Sequence, residues 1–370
     1  MKIGITGQNG FIGYHLTQTI KNKHSDYTLV PFQKSFFEME DSLKNFISSC
    51  DVIVHLAGVN RAKTNLEVYN GNMKLTNILN KALLGAKFQG QLLFASSYQE
   101  NEDSAYGRAK KSSRVLLEGT MNDLGGSFTG LIIPNVFGPF SKPNYNSFVA
   151  TFCSKIINKE FPKIINDNKV SLLYVGNLVN HIIKAVSKPK LSILVIESDV
   201  EIKVTEVLNL LNSFKDSYID KNTIPSLKSS FELEMFNTFR SYKILNENLP
   251  SFFLNNIDER GSFSELIRTN TGGQFSYSTT LPKFTRGNHF HTRKIERFMV
   301  ISGEAKICLR KTGTDQVHEY YLNGDKPSFV DMPIWYTHNI TNIGATPLIT
   351  AFWINEPYNS EDADTYFENV

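Results

Sequence analysis

Two side chains capable of acid–base chemistry, Tyr106 and Lys110, stand four residues apart in the sequence. In a helix, residues at this spacing lie on the same face. A lysine ammonium beside a phenol favours the phenolate and lowers the phenol pKa from about 10 toward neutral pH. Tyr106 could then act as the general acid toward a carbonyl that is being reduced, with Ser96 or Ser97 orienting that carbonyl. Taken alone, the same spacing is also common on surface helices.

A second group of residues suits the binding of a pyrophosphate. Gly7, Gly10 and Gly13 directly follow an apolar strand at residues 3–6 and open a helix near Phe11. Glycines in this context allow a tight turn and a close backbone approach to an anion that the helix N-terminus faces. The predicted dinucleotide-binding residues of this turn are Gly7, Asn9, Gly10, Phe11, Ile12 and Gly13. The alternative is an ordinary turn between a strand and a helix.

The choice between NAD and NADP depends on the stretch that follows the second apolar run. An acidic residue about 20 positions after the last glycine would bind the ribose hydroxyls of NAD. Residues 32–35 contain no acidic side chain, whereas Lys34 could contact a 2′-phosphate. The sequence therefore predicts NADPH as the cofactor, with a solvated lysine at a strand end as the alternative interpretation of Lys34.

Near the C-terminus, three histidines and one glutamate have the types and spacing of metal ligands. His289 and His291 lie two residues apart, so on a strand both project to one face. Glu296 and His338 can join them if neighbouring strands close around the site. Three imidazoles and a carboxylate suit zinc or another divalent first-row metal. The alternative is a pocket without metal.

Two parts of the chain with different sequence patterns must position these residues. Up to about residue 140, apolar runs alternate with helical patterns at residues 11–20, 66–84 and 105–124, which predicts βαβ units around a parallel sheet. After residue 254, frequent turn signals separate short β-rich runs, which is typical of a sandwich or barrel. We predict an α/β Rossmann-like doubly wound domain at residues 1–248 and an all-β domain at residues 252–370.

The composition of the chain limits its possible partners and its cellular compartment. The chain has 370 residues and a formal net charge of +3, which is too balanced to indicate a nucleic-acid partner. Its cysteines, Cys50, Cys153 and Cys308, are odd in number and far apart, which favours a reducing compartment. No apolar run approaches the roughly 20 residues of a membrane span, so we expect a cytoplasmic protein without membrane insertion.

Over roughly residues 1–245, these motifs resemble the extended short-chain dehydrogenase/reductase family. The resemblance implies that Ser97, Tyr106 and Lys110 are catalytic, that the segment Leu56, Ala57 and Gly58 lies along the cofactor, and that the enzyme is a homodimer. A motif beginning at Pro134 resembles the family's nucleotide-sugar motif and makes Asn135 a substrate-binding candidate. Only nine positions separate Ser97 from Tyr106, which is shorter than usual and leaves Ser96 as a rival.

Residues 252–370 resemble the cupin superfamily, which implies a jelly roll that holds metal through His289, His291, Glu296 and His338. Trp335 departs from the pattern, since it stands where the family usually has glycine. The sequences around Arg260 and Arg286 are similar to cupin epimerases of nucleotide-linked keto-deoxy sugars. That similarity implies that both arginines hold phosphate and that His289 is the general base. A metal-bound His289 has no free lone pair for this, so the two roles exclude each other.

Together the two parts resemble the bifunctional enzymes of capsular polysaccharide synthesis. The resemblance implies that the cupin epimerises carbon 3 of a UDP-linked 2-acetamido-2,6-dideoxy-4-keto sugar. The reductase then reduces carbon 4 with NADPH, toward a UDP-N-acetyl-talosamine-type product and UDP-N-acetyl-L-fucosamine. We infer this order because the carbon 4 ketone acidifies the hydrogen on carbon 3. The alternatives are a metal-dependent oxygenase cupin and a non-catalytic nucleotide-sugar sensor.

Overall fold

The computed structural model describes residues 1–189, 192–243, 250–252, 256–258, 261–263, 268–269, 273–356 and 359–370. Two compact units are present: Met1–Thr151 with Ile164–Glu206, and Phe152–Lys163 with Val207–Val370. The predicted boundary at residues 248–252 falls mostly outside the described residues, so the division into domains 1–248 and 252–370 stays a prediction.

Apolar runs separated by helical segments build the first unit. Its strands are β1 (Lys2–Thr6), β2 (Thr28–Val30), β3 (Val52–His55), β4 (Gln91–Ser97), β5 (Ser127–Ile133), β6 (Asn135–Phe137), β7 (Lys169–Tyr174), β8 (Ser192–Val195) and β9 (Val200–Lys203). The helices along the described chain are α1 (Phe11–Lys23), α2 (Glu40–Ser48), α3 (Asn65–Ala86), α4 (Ala105–Leu124), α5 (Phe148–Ile157), α6 (Val175–Val186), α7 (Val204–Phe214) and α8 (Ser230–Ser241).

The main sheet of this unit is parallel, with the strand order β2-β1-β3-β4-β5-β8. The order reverses at β1, because β2 lies on one side of it and β3 on the other. In doubly wound sheets the crevice at such a reversal, beyond the carboxyl ends of the strands, is where ligands bind. The glycine loop after β1 and the segment 56–58 after β3 both lie at this crevice.

Alternating side chains of the strands feed two cores, one on each face of the sheet. In β3, Val52 and Val54 join a core that includes residues of α1 and α6, whereas Ile53 joins a core with residues of α2, α3 and α4. Apolar side chains on both faces explain why the strands appear as continuous apolar runs in the sequence. The sheet is therefore rigidly held beneath the crevice.

The second unit is mainly antiparallel β structure. Its strands are β10 (Thr223–Ile224), β11 (Ser251–Phe252), β12 (Asn256–Asp258), β13 (Gly261–Phe263), β14 (Arg268–Thr269), β15 (Gln274–Thr280), β16 (Thr285–Phe290), β17 (Glu296–Ser302), β18 (Glu304–Lys311), β19 (Val317–Asn323), β20 (Ser328–Met332), β21 (Tyr336–Asn342), β22 (Leu348–Ile354) and β23 (Tyr366–Phe367).

Two five-stranded sheets dominate this unit, in the orders β11-β20-β17-β22-β15 and β19-β18-β21-β16-β23. The sheets face each other, since the Phe298 ring of β17 lies 5.9 Å from the His338 ring of β21. In β18, the alternating residues Ala305, Ile307 and Leu309 are fully buried, as the period of a strand requires.

Residues of the helical segment 207–243 pack on the outer face of β17 and β20. There Arg297 donates hydrogen bonds to both carboxylate oxygens of Asp331, at 2.8 and 3.1 Å. The Tyr218 hydroxyl donates to the same carboxylate, and Arg240 donates to the Met332 carbonyl at 2.5 Å. The segment therefore belongs to the β unit rather than to the dinucleotide-binding unit.

The predicted fold class is confirmed: a Rossmann-like parallel sheet is followed by an all-β region. Among the described residues, none of the helices combines the length and the apolar character that a membrane crossing requires.

Candidate active site

The glycine loop of the first unit has no room for side chains. Gly7 has a φ of +79°, and a Cβ on it would lie 3.0 Å from the Ala57 backbone nitrogen. A Cβ on Gly13 would lie 2.1 Å from the Gly7 carbonyl oxygen, so α1 packs directly against the loop. The first turn of α1 contains no acidic residue, and its N-cap residue is Gly10, which has no side chain to cap the helix. The backbone N–H groups there are suited to a phosphate.

A cleft of about 490 Å³ opens above this loop. It brings together most of the predicted cofactor, catalytic and substrate residues of the first unit. These are Gly7, Asn9, Gly10, Phe11, Ile12, Gly13, Leu56, Ala57, Gly58, Ser96, Ser97, Tyr106, Lys110 and Asn135. Much of residues 140–149 also lines the cleft, including Tyr145 and Phe148. Sequence reasoning missed this wall because it contains no motif, only scattered aromatic and polar residues.

The structure separates the two candidate serines at the end of β4. Ser96 is buried, and its hydroxyl donates to the Glu100 carboxylate at 2.5 Å. That carboxylate forms a buried ion pair with Arg114 at 3.0 Å. Ser97 is half-buried, lines the cleft and accepts a hydrogen bond from the Gln99 N–H at 3.2 Å. Its hydroxyl proton remains available to a ligand, which favours Ser97 as the orienting group.

Tyr106 and Lys110 lie on one face of α4, with the Lys110 Nζ 5.7 Å from the Tyr106 ring centroid. Burial raises the pKa of the Tyr106 phenol to about 12, and nearby Tyr145 acts in the same direction. The expectation that the pKa of Tyr106 is lowered was wrong, because desolvation by burial dominates the shift. A phenol that stays protonated at neutral pH is suited to donating a proton.

Lys110 is itself deeply buried. Its Nζ donates to the Ala95 carbonyl at 2.8 Å and lies 5.1 Å from the Phe94 ring centroid. Burial lowers the pKa of the Lys110 ammonium to about 8. The carbonyl and the two aromatic rings compensate for only part of the lost hydration.

Two other sequence-predicted residues of this unit differ in position. Asn135 lines the cleft, with its amide 3.4 Å from the Ser171 carbonyl. Lys34 is exposed at the start of a short 3-10 helix after β2 and is not among the residues that line the cleft. The role of Lys34 at a 2′-phosphate therefore stays a prediction.

In the second unit, the four predicted metal ligands converge. His289, His291, Glu296 and His338 each offer one ligand atom, and these atoms all lie within 4.8 Å of one another. A Glu296 carboxylate oxygen lies 3.0 Å from Nε2 of His291 and 3.2 Å from Nε2 of His338. Strand pairing explains the convergence, since His289 of β16 lies directly opposite His338 of β21.

The ring tautomers of this cluster suit a metal. Nδ1 of His291 lies 2.5 Å from the Asp364 carbonyl oxygen, and Nδ1 of His338 lies 3.2 Å from that of Tyr336. Each ring therefore donates through Nδ1 and directs its Nε2 lone pair toward Glu296. Although these Nε2 atoms lie close to the Glu296 oxygen, none of the three atoms forms a hydrogen bond of good geometry. Buried acceptors without donors fit a divalent cation among them.

The ionisable groups of the cluster shift each other's pKa values in different directions. Burial lowers the pKa of His289 to about 4, and the other two histidines add to this effect, so its imidazole is neutral at pH 7. Burial opposes ionisation of Glu296, but His291 and His338 hold the carboxyl pKa well below its usual range. Burial opposes protonation of His291, but Glu296 and Asp364 raise its pKa, so a metal would compete with a proton for this ring.

Trp335, which stands where the sequence pattern usually has glycine, adopts a backbone conformation that glycine favours. The residue has a φ of +61°, so it adopts the left-handed conformation that glycine would favour. Its N–H donates to the His291 carbonyl at 2.8 Å, and its ring stacks on Phe290 at 5.5 Å. These contacts compensate for the backbone strain and tie the turn to the strand that carries the histidines.

The structure describes only one of the two arginines that were predicted to bind phosphate. Arg286 is exposed on β16, where it donates to the Thr280 hydroxyl at 3.0 Å and to the Thr279 carbonyl at 2.9 Å. It lies opposite Ile340 in the pairing of β16 with β21. Arg260 lies outside the described residues. The phosphate-binding role of both arginines stays a prediction.

Fold and site together define a class of protein. A dinucleotide-binding unit of the reductase and epimerase type carries a tyrosine–lysine pair in its cleft, and an all-β unit carries a three-histidine, one-glutamate cluster.

The chain belongs to the NAD dependent epimerase/dehydratase family, whose sequence model matches residues 3–196. Residues 256–366 match the polysaccharide biosynthesis C-terminal domain. Both matches place the chain among reductase- and epimerase-type enzymes of polysaccharide biosynthesis.

Two full-length relatives agree with this class. The Pseudomonas aeruginosa protein named UDP-2-acetamido-2,6-beta-L-arabino-hexul-4-ose reductase is 35% identical over 99% of this chain and 98% of its own length. The crystal structure of the capsular polysaccharide assembling protein CapF from Staphylococcus aureus covers 100% of both chains at 34% identity, with a TM-score of 0.62. RMD from Pseudomonas aeruginosa, solved with NADPH, shares the fold at 18% identity and a TM-score of 0.57, over 66% of this chain and 99% of RMD.

Proposed function

We propose that the chain is a bifunctional nucleotide-sugar enzyme of capsular polysaccharide biosynthesis. The second unit epimerises carbon 3 of a UDP-linked 2-acetamido-2,6-dideoxy-4-keto sugar, and the first unit then reduces the carbon 4 ketone to a UDP-N-acetyl-talosamine-type product. That product leads toward UDP-N-acetyl-L-fucosamine. The observation that carries the proposal is the presence of two separate sets of chemical groups in one chain that matches the named reductase over nearly its whole length.

In the first unit, the glycine loop binds the cofactor pyrophosphate, and Lys34 is assigned to the 2′-phosphate of NADPH. Bound NADPH supplies the hydride for carbon 4. Ser97 donates a hydrogen bond to the carbonyl oxygen, and Tyr106 delivers its phenolic proton to that oxygen as negative charge develops there. The Lys110 ammonium lies near enough to the Tyr106 ring to stabilise the phenolate that remains.

In the second unit, the four-residue cluster would hold a divalent metal, for which zinc is the first candidate. Such a metal supplies Lewis-acid stabilisation of an enolate oxygen. We assign His289 to the ligand set because its ring lies 4.6 Å from that of His338 within the cluster. A separate group must then remove the proton from carbon 3. Arg286, with Arg260, is assigned to the nucleotide phosphates.

The order of the two reactions follows from the chemistry of the sugar. The hydrogen on carbon 3 is acidic only while carbon 4 is a ketone, so epimerisation precedes reduction. We further predict a cytoplasmic homodimer, and the three buried, unbridged cysteines are consistent with a reducing compartment. Joining both steps in one chain limits the escape of a reactive keto sugar.

The test separates the two steps in the intact chain. NADPH oxidation reports reduction, and exchange of the carbon 3 hydrogen with solvent deuterium reports epimerisation. Tyr106→Phe should slow NADPH oxidation by about 10²- to 10⁴-fold and leave the exchange intact. The matched control is Tyr27→Phe, since Tyr27 stacks on His24 away from the cleft. A Tyr106→Phe enzyme that oxidises NADPH at the full rate would refute the role of Tyr106, whereas an unsubstituted chain that binds the sugar but oxidises no NADPH would support the non-catalytic sensor.

The reciprocal variant is His338→Ala, which should stop the exchange and slow NADPH oxidation from the unepimerised sugar. Supplying the carbon 3 epimer should restore oxidation in this variant. Failure of that rescue contradicts the proposed order. Elemental analysis separates the last alternative, because redox-active iron with oxygen consumption would indicate an oxygenase.

A further inference from the structure

The C-terminal segment lies against the loop that connects two members of the metal cluster. β23 pairs with β16, so that Phe367 lies opposite His289. Immediately before β23, Asp364 lies beside residues 292–294, which join His291 to Glu296. Asp364 therefore contacts His291 of the cluster, although the two residues are 73 positions apart in the sequence.

The Asp364 carboxylate binds this loop through a set of converging donors. It accepts hydrogen bonds from three successive backbone N–H groups, those of Thr292 at 3.1 Å, Arg293 at 2.9 Å and Lys294 at 3.1 Å. It also accepts the Thr292 hydroxyl at 2.6 Å. Only 4% of Asp364 is exposed. Backbone donors around a buried carboxylate give charge-assisted hydrogen bonds, which are about twice as strong as neutral ones.

The same residue orients a metal-ligand ring through its backbone. The Asp364 carbonyl oxygen lies 2.5 Å from Nδ1 of His291, so it accepts the ring proton and leaves Nε2 facing Glu296. Asp364 has a φ of +40°, a left-handed conformation in which aspartate and asparagine are enriched. The carboxylate contacts hold the residue in this conformation, and the conformation places its carbonyl against the ring.

We propose that Asp364 is a positioning residue of the metal centre. This role rests on the proposed function, because the metal itself is part of that proposal. The carboxylate sets the loop that spaces His291 from Glu296, and the carbonyl sets the tautomer and direction of His291. Outer groups of this kind commonly change metal affinity by about 10- to 100-fold when they are removed.

Asp362 provides a matched control within the same segment. It forms a two-bond ion pair with the Arg293 guanidinium, at 3.0 and 2.8 Å, and 65% of its side chain is exposed. Its carboxylate therefore binds a side chain at the surface, whereas that of Asp364 binds the buried backbone of the loop. A variant at Asp362 removes a carboxylate of the C-terminal segment and leaves the Asp364 contacts to the loop and to His291 in place.

The experiment uses the full chain loaded with cobalt or zinc. Chelator competition gives the metal affinity, and the visible spectrum of the cobalt form reports ligand geometry. Asp364→Asn keeps the shape and the left-handed preference but loses the charge, so it should bind metal about 10-fold more weakly and shift the cobalt bands. Asp364→Ala should weaken binding further, toward 100-fold. Asp362→Asn should stay within about twofold and keep the spectrum of the unsubstituted chain.

The outcomes distinguish the two proposals. If the unsubstituted chain takes up no metal, the proposed metal centre is wrong and the role of Asp364 is wrong with it. If the chain binds metal but Asp364→Asn matches Asp362→Asn in affinity and spectrum, only the positioning role is refuted. Should Asp364→Ala fail to fold, the comparison of the two asparagine variants decides the question.

Discussion

The two serines at the end of β4 have different surroundings, so their alanine variants should have different effects. We expect Ser96→Ala to lower stability and Ser97→Ala to lower activity. Ser96→Ala removes a hydroxyl that donates to the buried Glu100 carboxylate at 2.5 Å. A hydrogen bond to a charged group contributes about 1.5–3 kcal/mol, so we expect the first unit to lose about 2 kcal/mol of stability. Because Arg114 still neutralises Glu100, the end of β4 should keep its course. We expect the rate of NADPH oxidation to change by no more than a few-fold.

Ser97→Ala has the opposite profile. Its hydroxyl lines the cleft and accepts the Gln99 N–H at 3.2 Å, a capping contact that contributes about 1 kcal/mol. Removing a donor aimed at a developing oxyanion costs about 10²- to 10³-fold in rate. Thr64→Ala controls for the lost cap, since Thr64 accepts a comparable bond from the Glu67 N–H at 3.2 Å at the exposed start of α3.

Calorimetry and steady-state kinetics on the intact chain read out both effects. A loss of about 2 kcal/mol should lower the transition of a unit of this size by about 4–8 °C for Ser96→Ala. Ser97→Ala and Thr64→Ala should show a smaller and similar shift, and only Ser97→Ala should lose activity. A Ser96→Ala enzyme that loses 100-fold in rate while Ser97→Ala keeps it would refute the assignment.

Four other expectations follow from the first unit. Burial lowers the pKa of Lys110 to about 8, so the reduction rate should fall as the pH rises through 8, and a rate that is flat to pH 10 would contradict this role. The unfolded chain keeps that proton up to the ordinary lysine pKa of 10.5, so this group alone should make the free energy of unfolding rise with pH between 8 and 10.5. Arg114→Met leaves the buried Glu100 carboxylate uncompensated and should cost about 3–5 kcal/mol in denaturant unfolding, with partial recovery when Glu100→Gln is added. Gly13→Ala places a Cβ 2.1 Å from a loop carbonyl and should abolish NADPH binding in a fluorescence titration, whereas Gly119→Ala, with nothing within 4 Å of its Cβ, should bind normally.

Local patterns were sufficient for much of the first unit. The pattern at residues 105–124 coincides with α4, because Ser104 caps its N-terminus and Gly125 ends it at a φ of +74°. The glycines of the loop could be predicted from the sequence because the tight turn that requires them is formed by neighbouring residues. The strand order was not readable, since the sequence contains no signal that places β2 and β3 on opposite sides of β1. The raised pKa of Tyr106 was also missed, because desolvation depends on the wall formed by residues 140–149.

In the second unit, the sequence identified the four side chains that converge but not what orients them. The spacing of two residues places the imidazoles of His289 and His291 on one face of a strand, and this spacing can be seen in the sequence alone. Asp364 has no recognisable motif and reaches His291 only because β23 pairs with β16. Residues that orient ligands are therefore harder to predict than the ligands themselves, since their contacts form through the tertiary fold.

The helical segment 207–243 shows the same limit at the level of domains. The predicted Rossmann-like domain at residues 1–248 included this segment. Arg240, Arg297 and Asp331 look like surface charges in the sequence, yet all three are at least 95% buried, between this segment and β17 and β20. Arg297 holds the pKa of Asp331 down at about 2 although burial opposes it, and its guanidinium lies 3.8 Å from the Phe329 ring centroid. Separating the segment from the sheet would break the hydrogen bond of Tyr218 to Asp331 and that of Arg240 to the Met332 carbonyl, and hydrogen bonds that involve a charged group contribute about 1.5–3 kcal/mol each. The β unit that carries the four-residue cluster is therefore also packed by residues 207–243, which come before its strands β11–β23 in the sequence.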